Sequence, residues 1–509
     1  MMIRFESTAS FACWCSGLIG CASCSAPVEK SQPHIILIMT DQQRGDCMGA
    51  MGNLGIKTPN MDKLAQDGLL FANGYSATPS STPARAGLLT GMSPWHNGMV
   101  GYGTMAENYR YEMPRMLAER NYYTYAIGKL HYAPQRNLHG FHGALLDESG
   151  RVHTPDFESD YRQWFRQVAP GMNPDSTGLG WNEHNGGAYA LPEELHPTTW
   201  TANEAVKFIQ EYDKKNPLFL KISFARPHSP YDPPRRLVEQ YADSDIQKPY
   251  VGDWCQAFAD RPNTRDASFG DFGTEHAVES RKYYYASIGF VDEKIGQIVD
   301  ELKRKGMYDN ALIVFVSDHG DMLGDHHHWR KTYPYEGSTH IPYVVKFPGN
   351  AAGNSPKGSR MEQPVELRDI LPTFLEAAGA QVPEDMDGKS LYPLYRNPEA
   401  AWRPYIDLEH TAYRDYKHWV ALTDGKTKYI YFSSTGEEQL FDLSKSKSEA
   451  HDLSKDANYA FALDLWRNRM TEHLKERGDR YVKGDKLQRV DTTIVYSPHY
   501  PGAVHEIEF

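Results

Sequence analysis

An α/β chain built on a mostly parallel sheet flanked by helices is predicted by two observations. Continuous apolar, β-branched runs end in polar residues, and segments of helical period lie between those runs. A change of character near residue 400 adds a smaller α+β domain. The first run, His34 to Thr40 (His-Ile-Ile-Leu-Ile-Met-Thr), is closed by Asp41. It does not alternate, as expected of a central strand buried on both faces. Three more runs share its form: Tyr123 to Ile127 leads to Gly128-Lys129, Leu218 to Phe224 to Arg226-Pro227-His228, and Ala311 to Val316 to Ser317-Asp318-His319. Ligands of open α/β sheets gather beyond the carboxyl ends of the strands, so all four runs aim polar residues at one rim.

Thr58-Pro59 supplies a cap and a first-turn proline for a helix carrying Met61, Leu64 and Ala65, with Gly68 as its stop. The longest helix is expected over about 277 to 305, where Ile288, Val291, Ile295, Ile298 and Leu302 form one apolar stripe and Gly306 ends it. Stretches 135 to 197 and 226 to 276 are rich in Pro, Gly, Asp, Asn and aromatics without a period, and are expected as long loops that wall a pocket. Past residue 400, Tyr405 to Glu409, Trp419 to Leu422, Lys428 to Phe432 and Gln439 to Leu443 are four short strands separated by turn signals such as Asp424-Gly425. A helix from about Asn458 to Glu476 follows. The expected division is 33–400 for the large domain and 401–509 for an antiparallel four-stranded sheet plus helix.

Composition narrows the function. Hydrophobic residues make up 40% of the 509 and charged residues 24%, which argues against disorder and against a membrane-spanning chain. The net charge of -12 argues against nucleic acid or an anionic membrane as partner, so an anionic substrate requires a locally positive pocket. Aromatic content of 12% suits stacking on sugar rings and equally suits core packing. At the start, Arg4 precedes a weakly apolar stretch, Ser7 to Gly20, too short to span a bilayer and suited to a signal peptide over 1–20. Leu18-Ile19-Gly20-Cys21 resembles a bacterial lipobox, which implies a lipid anchor at Cys21 and a tether over 21–32. The expected location is the periplasm or outer membrane of a Gram-negative bacterium; a plain cleaved signal and a cytosolic start are the alternatives. Cys13, Cys15, Cys21 and Cys24 fall in this segment, leaving Cys47 and Cys255, too few for a disulfide framework or a Cys-based zinc site.

Ser81-Thr82-Pro83-Ala84-Arg85, continuing Ala86-Gly87-Leu88-Leu89-Thr90-Gly91, resembles the signature of the type I, formylglycine-dependent sulfatases of the alkaline phosphatase-like superfamily. Asp41-Gln42 and Asp318-His319, in Ser-Asp-His-Gly-Asp, resemble that family's metal pairs. Gly128-Lys129-Leu130-His131 and Arg226-Pro227-His228-Ser229-Pro230 resemble its Gly-Lys-x-His and Pro-His-x-Pro motifs, and Trp329-Arg330-Lys331 its sulfate-binding Lys segment. Of His326, His327 and His328, only His326 matches a family position, and adjacent histidines cannot all face one ion.

The resemblance implies one Ca²⁺ held by Asp41, Gln42, Asp318, His319 and residue 81, and a 3-oxoalanine (formylglycine) made from Ser81. Hard oxygen donors from two strand ends suit such a cation. Gln42 stands where an Asp is more common, and Gln42 and His319 are equally open to a role as hydrogen-bonding residues that hold the ligands without touching the ion. The resemblance further implies that calcium, Lys129, Lys331 and Arg85 hold the sulfate oxygens. The hydrated aldehyde attacks sulfur in line; His228, with Lys331, protonates the leaving alcohol, and His131 is the base that releases sulfate. Serine in place of cysteine implies an anaerobic sulfatase-maturating enzyme as partner and an anaerobic host. A sulfated mono- or oligosaccharide from a glycosaminoglycan or mucin-type glycan, cut in exo fashion, is the expected substrate, with Trp181, His184, His410 and Tyr413 as candidate sugar contacts. The rivals are a phosphatase or phosphonate monoester hydrolase of the same superfamily with unmodified Ser81, and an inactive glycan-binding lipoprotein.

Overall fold

The structure is a computed structural model that describes residues 32–151, 156–260, 264–411, 418–490, 492 and 494–503. The expected signal peptide, Cys21 and most of the tether, and also Tyr413, lie outside these residues. Residues 32–509 form one compact unit.

Its large sheet has eight strands: β1 (His34–Asp41), β2 (Leu69–Phe71), β4 (Tyr123–Gly128), β5 (Gly143–Leu146), β6 (Leu218–Pro227), β7 (Ala311–Ser317), β8 (Tyr343–Lys346) and β9 (Ser359–Met361). A separate parallel pair joins β3 (Gly74–Tyr75) to β10 (Val365–Glu366). The order in the large sheet is β5-β4-β6-β1-β7-β8-β2-β9. From β5 to β7 every neighbouring pair is parallel, and only β8 runs against its neighbours. The four runs recognised in the sequence are therefore four contiguous central strands, β4, β6, β1 and β7, with their carboxyl ends on one side.

Residues of β1 alternate between two cores. Ile35, Leu37 and Met39 join one with Ala84, Leu88 and Leu89, while Ile36 and Ile38 join the other with Met61, Leu64, Ile288 and Ile295. That is the period of two of a strand covered by helices on both faces. Helix α1 (Pro59–Asp67) and the helices Pro197–Glu211 and Thr274–Arg304 cover one face. Helix α2 (Ser81–Thr90) lies on the other.

The second sheet holds β11 (Ile406–His410), β12 (Trp419–Thr423), β13 (Thr427–Phe432) and β14 (Glu437–Asp442), antiparallel throughout. One face, with Leu408, Trp419, Ala421 and Ile430, packs on Tyr75, Met322 and Tyr335 of the large layer. The other, with Val420, Leu422 and Tyr429, packs on Trp466, Met470 and Leu474 of the helix Ala460–Leu474. Stretch 135 to 197, expected as loop, contains β5 and the helix Asp160–Val168, whose start is capped by Ser159. Those elements are short and flanked by turn residues, so no period of useful length shows in the sequence.

Candidate active site

Asp41 ends β1, Lys129 follows β4, His228 follows β6 and Asp318 follows β7, so parallel pairing alone brings them to one rim. Ser81 is the first residue of α2, after Ser80, and the open N–H groups and dipole of that helix end favour an anion. Arg85 lies four residues on, on the same helix face as Ser81.

The Ser81 Oγ lies 3.1 Å from His319 Nε2 and 3.4 Å from Asp41 Oδ2. Asp41, Asp318 and His319 each present a ligand atom within 4.8 Å of the others. Asp318 Oδ1 accepts from the backbone N–H groups of Gln42 and His319, at 3.0 Å each. His319 Nδ1 donates to the Gly320 carbonyl at 2.9 Å, which leaves the Nε2 lone pair facing the cluster. Gln42 sits in the left-handed region at φ 72°, its Nε2 bound to Asp321 Oδ2 at 2.5 Å and its Oε1 accepting from Lys331 Nζ at 2.7 Å. Asp41 Oδ1 is buried and has no hydrogen-bond partner among the described residues. A fully buried carboxylate oxygen without a donor is costly unless a cation meets it. Three hard oxygens and one imidazole nitrogen fit a Ca²⁺-class ion, and Asp41, Asp318, Gln42 and His319 would hold it.

Arg85 is fully buried. Its guanidinium donates to Asp318 Oδ2 at 3.0 Å, Asp41 Oδ2 at 3.2 Å, the Lys129 carbonyl at 2.7 Å and Ser223 Oγ at 3.2 Å. The expected contact between Arg85 and sulfate is thereby corrected. Two carboxylates this close need a buried countercharge, and Arg85 spends its donors on them rather than on the cavity. Lys129 is likewise fully buried and pairs with Asp41 Oδ2. Burial raises the Asp41 pKa, but the charges of Lys129 and Arg85 outweigh it and hold the group well below the carboxylate range. Burial lowers Lys129 to about 8, with Arg151 adding to it.

A cavity of about 300 Å³ opens above Ser81, bordered by His131, Arg151, Trp181, Asn182, Arg330 and Lys331 among others. Lys331 Nζ donates to His228 Nε2 at 2.8 Å, and His228 Nδ1 donates to the Ser229 carbonyl at 2.8 Å. His228 is thus neutral; burial, then Lys331, pushes its pKa well down. Burial takes Lys331 to about 7, Lys129 and Arg151 adding to the effect against Asp41. His131 is pushed well down by burial and by Arg151, Lys129 and Arg85. Its backbone N–H, with that of Leu130, is held by Glu148 Oε1 at 2.9 Å each.

Among the expected sugar contacts, Trp181 borders the cavity, its ring backed by Gly150, where a Cβ would come within 2.7 Å of Cζ2. His184 and His410 do not border it. His184 is 1% exposed, stacks on Trp329 at 4.2 Å and pairs with His276 at 3.1 Å. His410 is fully buried, with Nε2 2.7 Å from Ser80 Oγ, and so steadies the residue before Ser81. Each finds its partners inside the protein, which a polar residue in an irregular or edge segment does not announce. The sequence reading missed Arg151, Glu148 and Asp321. Asp321 had a signal in Ser-Asp-His-Gly-Asp, and it ties Gln42, Tyr231, Leu323 and Arg330 together.

A helix end bearing Ser81, a hard-donor cluster and buried cations at the rim of a parallel sheet suit a hydrolase for esters of tetrahedral oxyanions. The chain belongs to the sulfatase family of the alkaline phosphatase-like superfamily, and it is a sulfuric ester hydrolase: the sulfatase family profile matches residues 33–380, and the profile named N-sulphoglucosamine sulphohydrolase, C-terminal, matches 324–476. It is 38% identical to an arylsulfatase of Clostridium perfringens over 90% of this chain and 97% of that one. It is 31% identical to a choline-sulfatase of Rhizobium meliloti over 84% and 83%. To an N-acetylglucosamine-6-O-sulfatase of Bacteroides thetaiotaomicron it is 26% identical, over 86% of each chain. Among solved structures, the phosphonate monoester hydrolase of Agrobacterium radiobacter superposes with a TM-score of 0.73 at 27% identity, over 87% of this chain and 96% of that one.

Proposed function

We propose that the protein removes a sulfate ester from a carbohydrate, in exo fashion, using residue 81 as nucleophile after its conversion to formylglycine and a Ca²⁺ ion at the Asp41 cluster. The observation that carries the reading is the Ser81 Oγ, which faces His319 and Asp41 at the floor of the cavity, beside a buried Asp41 Oδ1 with no partner. The cation, when bound, neutralises charge on the sulfate oxygens, and the hydrated aldehyde supplies the attacking oxygen together with a second one from which a proton is later removed. The chain's own groups do the rest. Arg85 and Lys129 hold the two carboxylates in place. Lys331 Nζ, backed by neutral His228 Nε2, gives a proton to the departing sugar oxygen. Neutral His131, on the cavity wall, takes one back.

A carbohydrate is supported by the relative named for N-acetylglucosamine 6-O-sulfate and by the Trp181 ring on the wall. The choline-sulfatase relationship is outweighed by charge: Arg151, Arg330 and Lys331 border the cavity, and no Asp or Glu does among the described residues, so a quaternary ammonium would meet only like charge there. A cavity of about 300 Å³ sits at the small end of ligand pockets and supports exo action on a mono- or short oligosaccharide. We also propose export as a lipoprotein anchored at Cys21 and maturation by an anaerobic sulfatase-maturating enzyme; labelling with a fatty-acid analogue, lost in Cys21→Ala, tests the anchor.

The central test is release of sulfate against phosphate from matched esters, with and without chelator, by protein produced with and without the maturase. Mass spectrometry of the Ser81 peptide accompanies it. Sulfate release that tracks the aldehyde and the divalent cation supports the mechanism. Full activity with an unoxidised serine would sink the formylglycine route, and preferential phosphate or phosphonate release would favour the chemistry of the Agrobacterium neighbour.

A further inference from the structure

The cavity carries more positive charge than one sulfate ester uses. A sulfate monoester brings a single negative charge, and Lys331 with the N-terminal end of helix α2 already answers it. Yet Arg151 and Arg330 also border the cavity, and neither has a carboxylate within 4.0 Å among the described residues. In a chain of net charge -12 such pairing would be easy to supply. Guanidinium groups left without a carboxylate beside a ligand cavity are poised for an anion from outside.

The two arginines differ in position. Arg151 Nη2 reaches His228 Nε2 at 3.4 Å, and its charge depresses Lys129, His131, His228 and Lys331 together, so it belongs to the sulfate end. Arg330 is turned toward the other wall. Its Nη2 donates to Ser268 Oγ at 2.7 Å, in the second long loop, and its charge is felt by His184 and Tyr231. Its backbone is held in the left-handed region at φ 65° by a bond from its N–H to Asp321 Oδ1 at 2.9 Å. A non-glycine residue in that region, fixed by a buried carboxylate, is a pinned position rather than a mobile surface arginine. The same Asp321 binds Gln42 Nε2, so one carboxylate ties the pose of Arg330 to that of the sulfate site.

We infer that Arg330 is a specificity-determining residue that binds a second anionic group of the substrate, a carboxylate or a further sulfate, so that the preferred substrate is a doubly charged sugar. Resting on the sulfatase reading above, this names the substrate class more closely. A planar guanidinium takes either anion in a bidentate pose, and Trp181 and Asn182 line the same cavity.

The test uses matured full-length enzyme and a matched set of sugar monosulfates bearing, at a second position, a hydroxyl, a carboxylate or a sulfate, with 4-nitrophenyl sulfate as the singly charged reference. Wild type should favour one of the doubly charged sugars over the hydroxyl analogue by at least tenfold in kcat/KM, mainly through KM, and the favoured arm tells carboxylate from sulfate. In Arg330→Gln that preference ratio should fall about tenfold or more, and Arg330→Lys should restore part of it. Absence of any preference in wild type, or a ratio unchanged in Arg330→Gln, overturns the inference. Failure to release sulfate from every member of the set, the aryl reference included, would instead overturn the sulfatase mechanism.

Discussion

Two buried carboxylates, Glu409 and Asp41, answer the same problem of charge in the interior in opposite ways. Glu409, at the end of β11, is saturated. Arg477 meets its two oxygens at 2.6 and 2.7 Å, and His418 Nε2 adds a third contact at 2.6 Å, its own Nδ1 resting on Ser433. Burial is outweighed there, chiefly by Arg477, and the carboxyl is held at about 2. Asp41 is lopsided: Lys129, Arg85 and Ser81 crowd Oδ2, while Oδ1 has no hydrogen-bond partner among the described residues. A saturated buried pair holds the fold, whereas a cluster with donors on one side only is arranged for something that the chain does not itself supply.

The largest effect expected is on chemistry. Ser81→Ala should reduce sulfate release by roughly 10⁴-fold or more and leave the melting temperature near that of wild type, because the proposed nucleophile carries rate rather than packing. Next is Glu409→Ala, which strands Arg477 in the interior and should cost about 3–5 kcal/mol of stability by denaturant titration. Asp41→Asn should show the opposite split, with activity falling by roughly 10²–10³-fold and stability by less than in Glu409→Ala. Lys129 already sits at about 8 through burial, so it can shed its proton when its partner is neutralised. Equal destabilisation by the Asp41 and Glu409 substitutions would remove the distinction between the two clusters.

The same contrast explains what could be read from the chain. The four central strands were visible because burial on both faces leaves continuous apolar runs, and Asp41, Lys129, His131, His228, Asp318 and His319 each follow such a run, whereas Lys331 stood out only through the resemblance of Trp329-Arg330-Lys331. Helix α2 was not, since Pro83 and Gly87 interrupt any apolar period and its residues are buried nearly all round. The strands on the far side of β7, namely β8, β2 and β9, are three or four residues long, too short for alternation to register. Arg151 and Arg330 acquire meaning only from the absence of nearby carboxylates among the described residues, and His184 and His410 lose theirs through partners far along the chain. Such facts belong to tertiary packing, where no local pattern can hold them.

The smallest effect expected concerns how the two sheets are clipped together, and it is a matter of pH. His96, in the short helix Pro94–Asn97, meets Asp387 at 2.8 Å through Nδ1 and Glu476, just past the C-terminal helix, at 3.1 Å through Nε2. Those two hydrogen bonds, that to Asp387 first, raise its pKa to about 10 against the opposing effect of burial. A histidine whose folded pKa lies above its unfolded value of 6.5 contributes stability that is complete below that value and is lost as pH rises through about 10. The melting temperature of His96→Gln should therefore lie below wild type by about 1–2 °C at pH 6, with the gap closing above pH 10. A gap that stays constant across that range would mean that His96 acts through packing alone, and the charged clip between the layers would have to be given up.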